Sequence, residues 1–198
     1  MRLVLIGAPG SGKGTQASRL KDALGVPHIS TGELLRAAVA AGTPLGLKAK
    51  EVMAAGNLVC DEIVLDMLEE RLRKPDVGGG FILDGYPRNL AQANALDALL
   101  SRLKQPVDVA VQLDVSTELL VQRLAGRAQA EGRADDSPDA VRNRLRIYTD
   151  QTAPVIDFYR GCGKLICVFG VGSVEEVLAR VLAAIRPPRA GQPQAANA

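Results

Sequence analysis

Gly7-Ala8-Pro9-Gly10-Ser11-Gly12-Lys13-Gly14-Thr15 follows the apolar run Leu3-Val4-Leu5-Ile6 and opens a helical pattern through Gln16, Leu20 and Leu24. A glycine-rich turn between a strand and a helix, closed by a lysine, is the pattern of a phosphate-binding loop (P-loop). Glycines let backbone N–H groups turn inward without Cβ clashes, so several donors can converge on one polyphosphate. The helix that starts near Lys13 aims its positive dipole end at the same point, and Lys13 adds a mobile cation. Many such loops carry a hydroxyl directly after the lysine, on magnesium. Here Gly14 stands in that place and the hydroxyl comes at Thr15, which directs Thr15 to phosphate and leaves the metal to be held through water. The competing reading is a glycine turn that binds nothing. The lysine and the strand-helix frame together favour a nucleotide-phosphate site over Gly10 to Thr15.

Outward from the loop, Gly25-Val26-Pro27 leads into a short strand, 27–29, that holds the single histidine, His28. With no second histidine to build a metal site or a relay, His28 reads as structural. Ser30-Thr31-Gly32-Glu33-Leu34-Leu35-Arg36 reads as a capped helix start whose early acid suits the helix dipole, with Arg36 about a turn further on. Helices are predicted over 45–55 and from 61 to about 73. Short helices punctuated by glycine between two strands predict a flap that moves separately.

Phe81-Ile82-Leu83 reads as a buried strand ending at Asp84-Gly85-Tyr86-Pro87-Arg88. Ligands of open α/β sheets sit at the carboxyl ends of strands. Asp84 is therefore either an acid that faces phosphates and organises magnesium through its waters, or a cap for the next helix. Arg88 lies where it could hold a second phosphate group. A helix over 90–103 carries Gln92 in its first turn, and 107–113 reads as a buried parallel strand. A helix from 117 to about 124 carries Arg123 and leads to Arg127. A polar loop between Gly126 and Pro138 holds Arg133, Asp135 and Asp136. A long helix from 138 to about 159 follows, with Arg142, Arg144 and Arg146 near its start. A strand over 164–168 and a helix over 174–185 complete five strand-helix units, which predict an α/β fold with a parallel sheet covered on both faces. The Pro-, Gln- and Ala-rich tail, 187–198, is expected to be disordered.

The 198 residues suit one domain, and 47% hydrophobic with 23% charged residues is ordinary for a globular chain. A net charge of +2 and an aromatic share of 3%, with no Trp, argue against nucleic acid or a membrane surface as the main partner. Cys60, Cys162 and Cys167 form no C-x-x-C pair, and their odd number argues against a disulfide framework. They are expected to be buried or incidental free thiols. No run of about 18 apolar residues is present to cross a bilayer. The chain enters its first strand at once, with no removable leader, so a cytoplasmic location is expected. The absence of a heptad seam makes a monomer the default.

Several motifs occur together and in order: the G-x-P-G-S-G-K-G-T loop, the 30–36 segment, Leu58-Val59 before Asp61-Glu62, and Asp-Gly-Tyr-Pro-Arg at 84–88. The series Gly126-Arg127, Gly132-Arg133-x-Asp135-Asp136 and Arg142-x-Arg144-Leu145 completes the set. Over nearly the whole chain this combination resembles the nucleoside monophosphate kinases, the adenylate kinases most closely. The resemblance implies a P-loop three-layer fold with a five-stranded parallel sheet. It divides the chain into a core (1–29, 60–125 and 137–186), a helical monophosphate-binding flap (30–59) and a short lid (126–136). It implies reversible phosphoryl transfer from Mg-ATP to AMP giving two ADP, which balances the adenine nucleotides.

By the same resemblance ATP lies on Gly10, Ser11, Gly12, Lys13, Gly14 and Thr15, with Arg127 contacting it and Gly170 giving a backbone contact to its adenine. AMP lies on Thr31, Arg36, the backbone of Asn57, Leu58 and Val59, then Gly85, Tyr86, Pro87, Arg88 and Gln92. Arg133 and Arg144 bridge toward the AMP phosphate when the lid closes. Lys13, Arg88, Arg123, Arg133 and Arg144 carry the charge of transfer, and Asp84 serves magnesium. The lid loop is short and has no cysteine, so no structural zinc is expected. Phe169 departs from relatives that often have an acid before the glycine, and the Tyr86–Pro87 peptide is expected to be cis. Three rival readings stand beside this one. They are a UMP or CMP kinase on the same fold, a nucleotide switch that hardly turns over, and a nucleic-acid-binding ATPase. Thr31 with Gln92 favours adenine, and the second arginine-lined site argues against a simple switch.

Overall fold

The structure, a computed structural model, describes residues 1–131 and 133–186, with the side chains of Glu131 and Ala134 left aside. The tail expected to be disordered lies outside the described residues. Five strands, β1 (Arg2–Ile6), β2 (His28–Ser30), β3 (Phe81–Asp84), β4 (Val109–Asp114) and β5 (Leu165–Phe169), form one sheet in the order β2-β3-β1-β4-β5. Every pairing is parallel. This is the five-stranded parallel α/β sheet expected from the alternation of apolar runs and helical patterns. The chain builds on one side of β1 and then on the other, so the strand order reverses at β1, and a crevice opens there at the carboxyl ends.

Side chains of a strand face alternate sides, and that alternation divides the core. Leu3 and Leu5 of β1 and Ile82 of β3 pack with Ala17 and Leu20 of α1 (Lys13–Leu24) and Val177 and Val181 of α9 (Val174–Ile185). Val4, Ile6, Phe81 and Leu83 pack on the opposite face. Their partners come from α2 (Thr31–Ala40), α3 (Pro44–Ala54), α4 (Asp61–Leu72), α5 (Leu90–Arg102) and α8 (Ala153–Gly161). Asp84, two residues beyond Ile82, falls on the α1 side at the end of β3. Strand parity therefore brings its carboxylate toward the start of α1.

Two elements differ from the sequence expectation. The helix expected to stop near Leu124 continues as α6, Thr117–Glu131. Gly126 meets nothing where a Cβ would lie, and the helix runs through it at the modest cost of one interior glycine. The single helix expected over 138–159 is instead α7 (Pro138–Ile147), a π-turn (Tyr148–Thr152) and α8. Pro154 explains the widened turn, since its ring supplies no N–H to the preceding turn of helix. All three cysteines are free and exposed. Among the described residues no helix is long and apolar enough to cross a membrane.

Candidate functional site at the carboxyl edge of the sheet

The glycine-rich loop joins β1 to α1. Gly10 (φ 85°) and Gly12 (φ 92°) hold left-handed backbone conformations, which glycine adopts without penalty. A Cβ on Gly10 would also lie 2.9 Å from the Leu120 carbonyl, so the loop rests directly on α6. Lys13 Nζ donates to the carbonyls of Gly7 (2.7 Å) and Ala8 (3.0 Å), curling over the loop. Ser11 Oγ is buried in the loop with no hydrogen-bond partner, a polar atom whose satisfaction would have to come from a ligand or solvent.

Asp84 faces this loop. Its Oδ2 lies 3.6 Å from where a Cβ on Gly14 would stand. Gly14 thus leaves open the space in front of the carboxylate, which a hydroxyl side chain at that position would fill. His28 Nε2 stands 3.5 Å from the same oxygen. Burial pushes the Asp84 carboxyl up, but His28, Lys13 and Arg88 outweigh it and hold the group below the usual carboxylate range. Burial, reinforced by the charges of Arg88, Arg144 and Arg127 and opposed by Asp84, lowers Lys13 to about 8. A lysine surrounded by cations is a site waiting for negative charge.

The opposite wall is built on the Gly85–Arg88 turn. Gly85 (φ 81°) has Thr31 Oγ1 3.0 Å and Arg88 Nη2 3.1 Å from its missing Cβ. Thr31 Oγ1 (2.9 Å) and Arg88 Nε (2.7 Å) both donate to the Gly85 carbonyl. With Nε engaged, the two terminal nitrogens of Arg88 are left toward the cleft. The Tyr86–Pro87 peptide is cis. Arg36 folds back over Gly32, its Nη1 3.2 Å from the missing Cβ there. Arg123 reaches across to Ser11 O (3.5 Å) and Gly170 O (3.3 Å), tying the loop to the end of β5.

Two aspartates gather the remaining arginines. Asp136 accepts a bidentate pair from Arg127 (2.7 and 2.6 Å) and a bond from Arg144 (2.8 Å). Asp135 pairs with Arg144 at 3.0 Å. Burial raises the Asp136 carboxyl, and the hydrogen bond and charge of Arg127, with Arg144 and Arg133, outweigh it. Burial, then neighbouring cations, lower the proton affinity of Arg36 and Arg88, and burial does so at Arg144. Arginine stays charged through such shifts, so the result is a concentrated positive field.

Loop, Asp84 and arginines line one cleft of about 630 Å³, the size of a small-molecule site. Arg133 also lines this cleft. A narrower pocket shares Arg36, Leu58, Gly85, Arg88 and Arg144 with it, and adds Thr31, Asn57, Val59, Tyr86 and Gln92. Every residue assigned from the sequence to the nucleotide or magnesium sites therefore lines one or both cavities. Residues not assigned a role from sequence complete the frame. Asp61 accepts from Gln92 and Asn89, and Thr152 donates to Arg88 O. Asn143 Nδ2 donates to Ala55 O and Asn57 Oδ1. Each links segments far apart in the chain, which no local pattern announces. Among the described residues no three His, Cys, Asp or Glu side chains group as a ready-made metal site.

A parallel sheet whose order reverses beside a glycine-rich phosphate loop, with a second arginine set across the same cleft, defines a P-loop phosphotransferase of nucleotides. A family model described as "Adenylate kinase" matches residues 5–164. A curated adenylate kinase of Xanthomonas campestris pv. campestris (strain 8004) is 71% identical over 181 residues, 91% of this chain and 97% of the relative. One from Stenotrophomonas maltophilia (strain K279a) is 67% identical over 186 residues, 94% of this chain and 100% of the relative. The chain belongs to the adenylate kinase family.

Proposed function

We infer that the chain transfers the γ-phosphoryl group of ATP to AMP, reversibly, giving two ADP. The observation that carries this reading is the single cleft lined on one side by the phosphate loop and on the other by Arg36, Arg88 and Arg144. Two anionic substrates need two cationic cradles that face one another, and a switch or simple hydrolase needs only one.

In the proposed arrangement the backbone of Gly10 to Thr15 and Lys13 hold the ATP phosphates, with Arg123, Arg127 and Gly170 at the donor end. Thr31, Arg36, Asn57, Leu58, Val59, Gly85, Tyr86, Pro87 and Gln92 receive AMP. Arg88, Arg133 and Arg144 converge on the group in flight. Phosphoryl transfer asks for alignment and charge neutralisation more than for covalent chemistry, so no general base is assigned. Asp84 suits a hydrated divalent cation because it is buried, below the usual carboxylate range and beside the open space at Gly14. Magnesium bound there with ATP would neutralise phosphate charge. Arg127 and Arg144 exchange their carboxylate partners for phosphate oxygens in this scheme. Residues 30–59 act as the AMP flap and 126–136 as the short lid, closing on the core (1–29, 60–125 and 137–186) to exclude water. The proposed working form is a cytoplasmic monomer, to be checked by light scattering.

The test is a donor-acceptor panel in which Mg-ATP is offered with AMP, UMP, CMP, GMP or water while nucleoside diphosphate is followed. AMP-selective formation of ADP, running in both directions, is the expected result. Preference for UMP or CMP would reassign the base, and ATP binding without acceptor-dependent transfer would overturn the reading.

A further inference from the structure

Gln92 is almost fully buried in the wall of the narrower pocket, at 3% exposure. Both ends of its amide are engaged. Oε1 accepts from the main-chain N–H of Arg88 at 2.7 Å, and Nε2 donates to Asp61 Oδ1 at 2.6 Å. Asp61 is the first residue of α4, 31 positions earlier in the chain. Its carboxylate is itself held by Asn89 Nδ2, at 3.0 Å to Oδ2 and 3.3 Å to Oδ1. Asn89 is fixed in turn because its Oδ1 accepts from Gln92 N at 2.8 Å, capping α5.

We propose that Asp61 is a positioning residue that sets base specificity by locking the Gln92 amide in one of its two flips. This rests on the reading of Gln92 as the partner of the AMP base. The two ends of an amide have nearly the same shape and opposite hydrogen-bonding sense, so an unrestrained glutamine can serve either of two complementary edges. Here its neighbours admit no choice. A main-chain N–H only donates and a carboxylate only accepts. Turned over, the amide would set NH₂ against the Arg88 N–H and oxygen against the Asp61 carboxylate, leaving buried polar groups unpaired on both sides.

With one bond spent at each end, the amide retains one N–H and one acceptor lone pair. The six-position edge of adenine offers an acceptor ring nitrogen and a donor amino group, which match that pair. The edge of a 6-oxopurine such as hypoxanthine offers a ring N–H and a carbonyl, which match only the flipped amide. Asp61 therefore discriminates between purines it does not touch.

The test compares kcat and KM for AMP and for IMP at saturating ATP in the wild type, Asp61→Asn, Asp61→Glu and Gln92→Leu. Asp61→Asn keeps the shape but can donate as well as accept. It is expected to raise KM for AMP with kcat held within about threefold, and to lower the AMP-to-IMP ratio of kcat/KM by about tenfold. Asp61→Glu, which can only accept, is expected to keep the ratio within about threefold of wild type. A merely structural tie between α4 and α5 would scale both substrates together and leave the ratio unchanged, even if much of the protein failed to fold. An unchanged ratio in Asp61→Asn, with a collapsed ratio in Gln92→Leu, would overturn the lock alone. An unchanged ratio and unchanged KM for AMP in Gln92→Leu would overturn the base-site reading beneath it.

Discussion

Thr152 Oγ1 donates a 2.7 Å hydrogen bond to the main-chain carbonyl of Arg88. The donor closes the π-turn between α7 and α8, and the acceptor belongs to the turn after β3 that carries the central arginine of the cleft. Because Gln92 Oε1 takes the Arg88 N–H at 2.7 Å, both main-chain polar groups of Arg88 are pinned by side chains. Thr152→Val keeps the volume and removes the donor. Turnover should fall about tenfold with KM for ATP little changed, since small displacements of a positioned group are costly in transfer reactions. The stability loss should be about 1 kcal/mol. Unchanged turnover at saturating substrates would show that Arg88 holds its place without Thr152.

Arg88 itself gives a sharper test. Its Nε bond to Gly85 O, 2.7 Å long, fixes a planar fork whose two remaining nitrogens reach the cleft. Lysine supplies charge but neither the fork nor the second donor. Arg88→Lys should fold with a melting temperature near that of wild type and lose about 10²–10³ in turnover, the scale of removing one transition-state donor. Turnover within threefold of wild type would remove Arg88 from the transfer step.

The parts of this molecule that were legible in the sequence are those whose signals are local. The phosphate loop needs only a strand, glycines and a lysine within nine residues. Asp84 is marked by its place at the end of an apolar run, which leaves a helix cap as the alternative, and strand parity in the structure sets the side it faces. Arg36, Arg88 and Gln92 came from motif order, and all of them line the cavities. What failed to show was of two kinds. Gly126 and the polar stretch after it looked like a helix end, whereas contacts such as the Arg127–Asp136 pair, 2.6 Å at its shortest, stabilise the region against a weak local preference. Pro154, inside the single helix expected over 138–159, is the local signal of an interruption there, and the structure shows it as the π-turn Tyr148–Thr152. The second kind is pairing over distance. Asp61 with Gln92 and Thr152 with Arg88 are separated by 31 and 64 positions, and nothing in either segment alone names its partner.

The flap can be tested through packing alone. A Cβ on Gly46 of α3 would lie 2.0 Å from the Ala38 carbonyl of α2, so the two helices cross with no room for a methyl group. Gly46→Ala must push them apart, a change that costs about 1–3 kcal/mol in a packed site. If 30–59 is the AMP flap, KM for AMP should rise several-fold while KM for ATP stays within twofold. Equal changes in both constants would mean that the segment does not serve one substrate.

Lys13 gives a prediction that can be read without turnover. Its amine is lowered from 10.5 to about 8, chiefly by burial and then, against the pull of Asp84, by Arg88, Arg144 and Arg127. The folded, nucleotide-free chain therefore releases this proton before the unfolded chain does. Below about pH 8 both states carry the ammonium and the cost of burying it is present in full. Between about 8 and 10.5 the unfolded state binds more protons, so this group makes stability rise with pH. Polyphosphate at the loop reverses the balance, because negative charge beside Lys13 favours its ammonium. Binding of ATP without magnesium at pH 8.5 should thus take up at most about three-quarters of a proton, with little uptake from Lys13 at pH 6.5, where the amine is already charged. Calorimetry in buffers of different ionisation enthalpy measures the uptake directly. Lys13→Met should abolish the pH 8.5 component, and its persistence in that variant would assign the proton to another group.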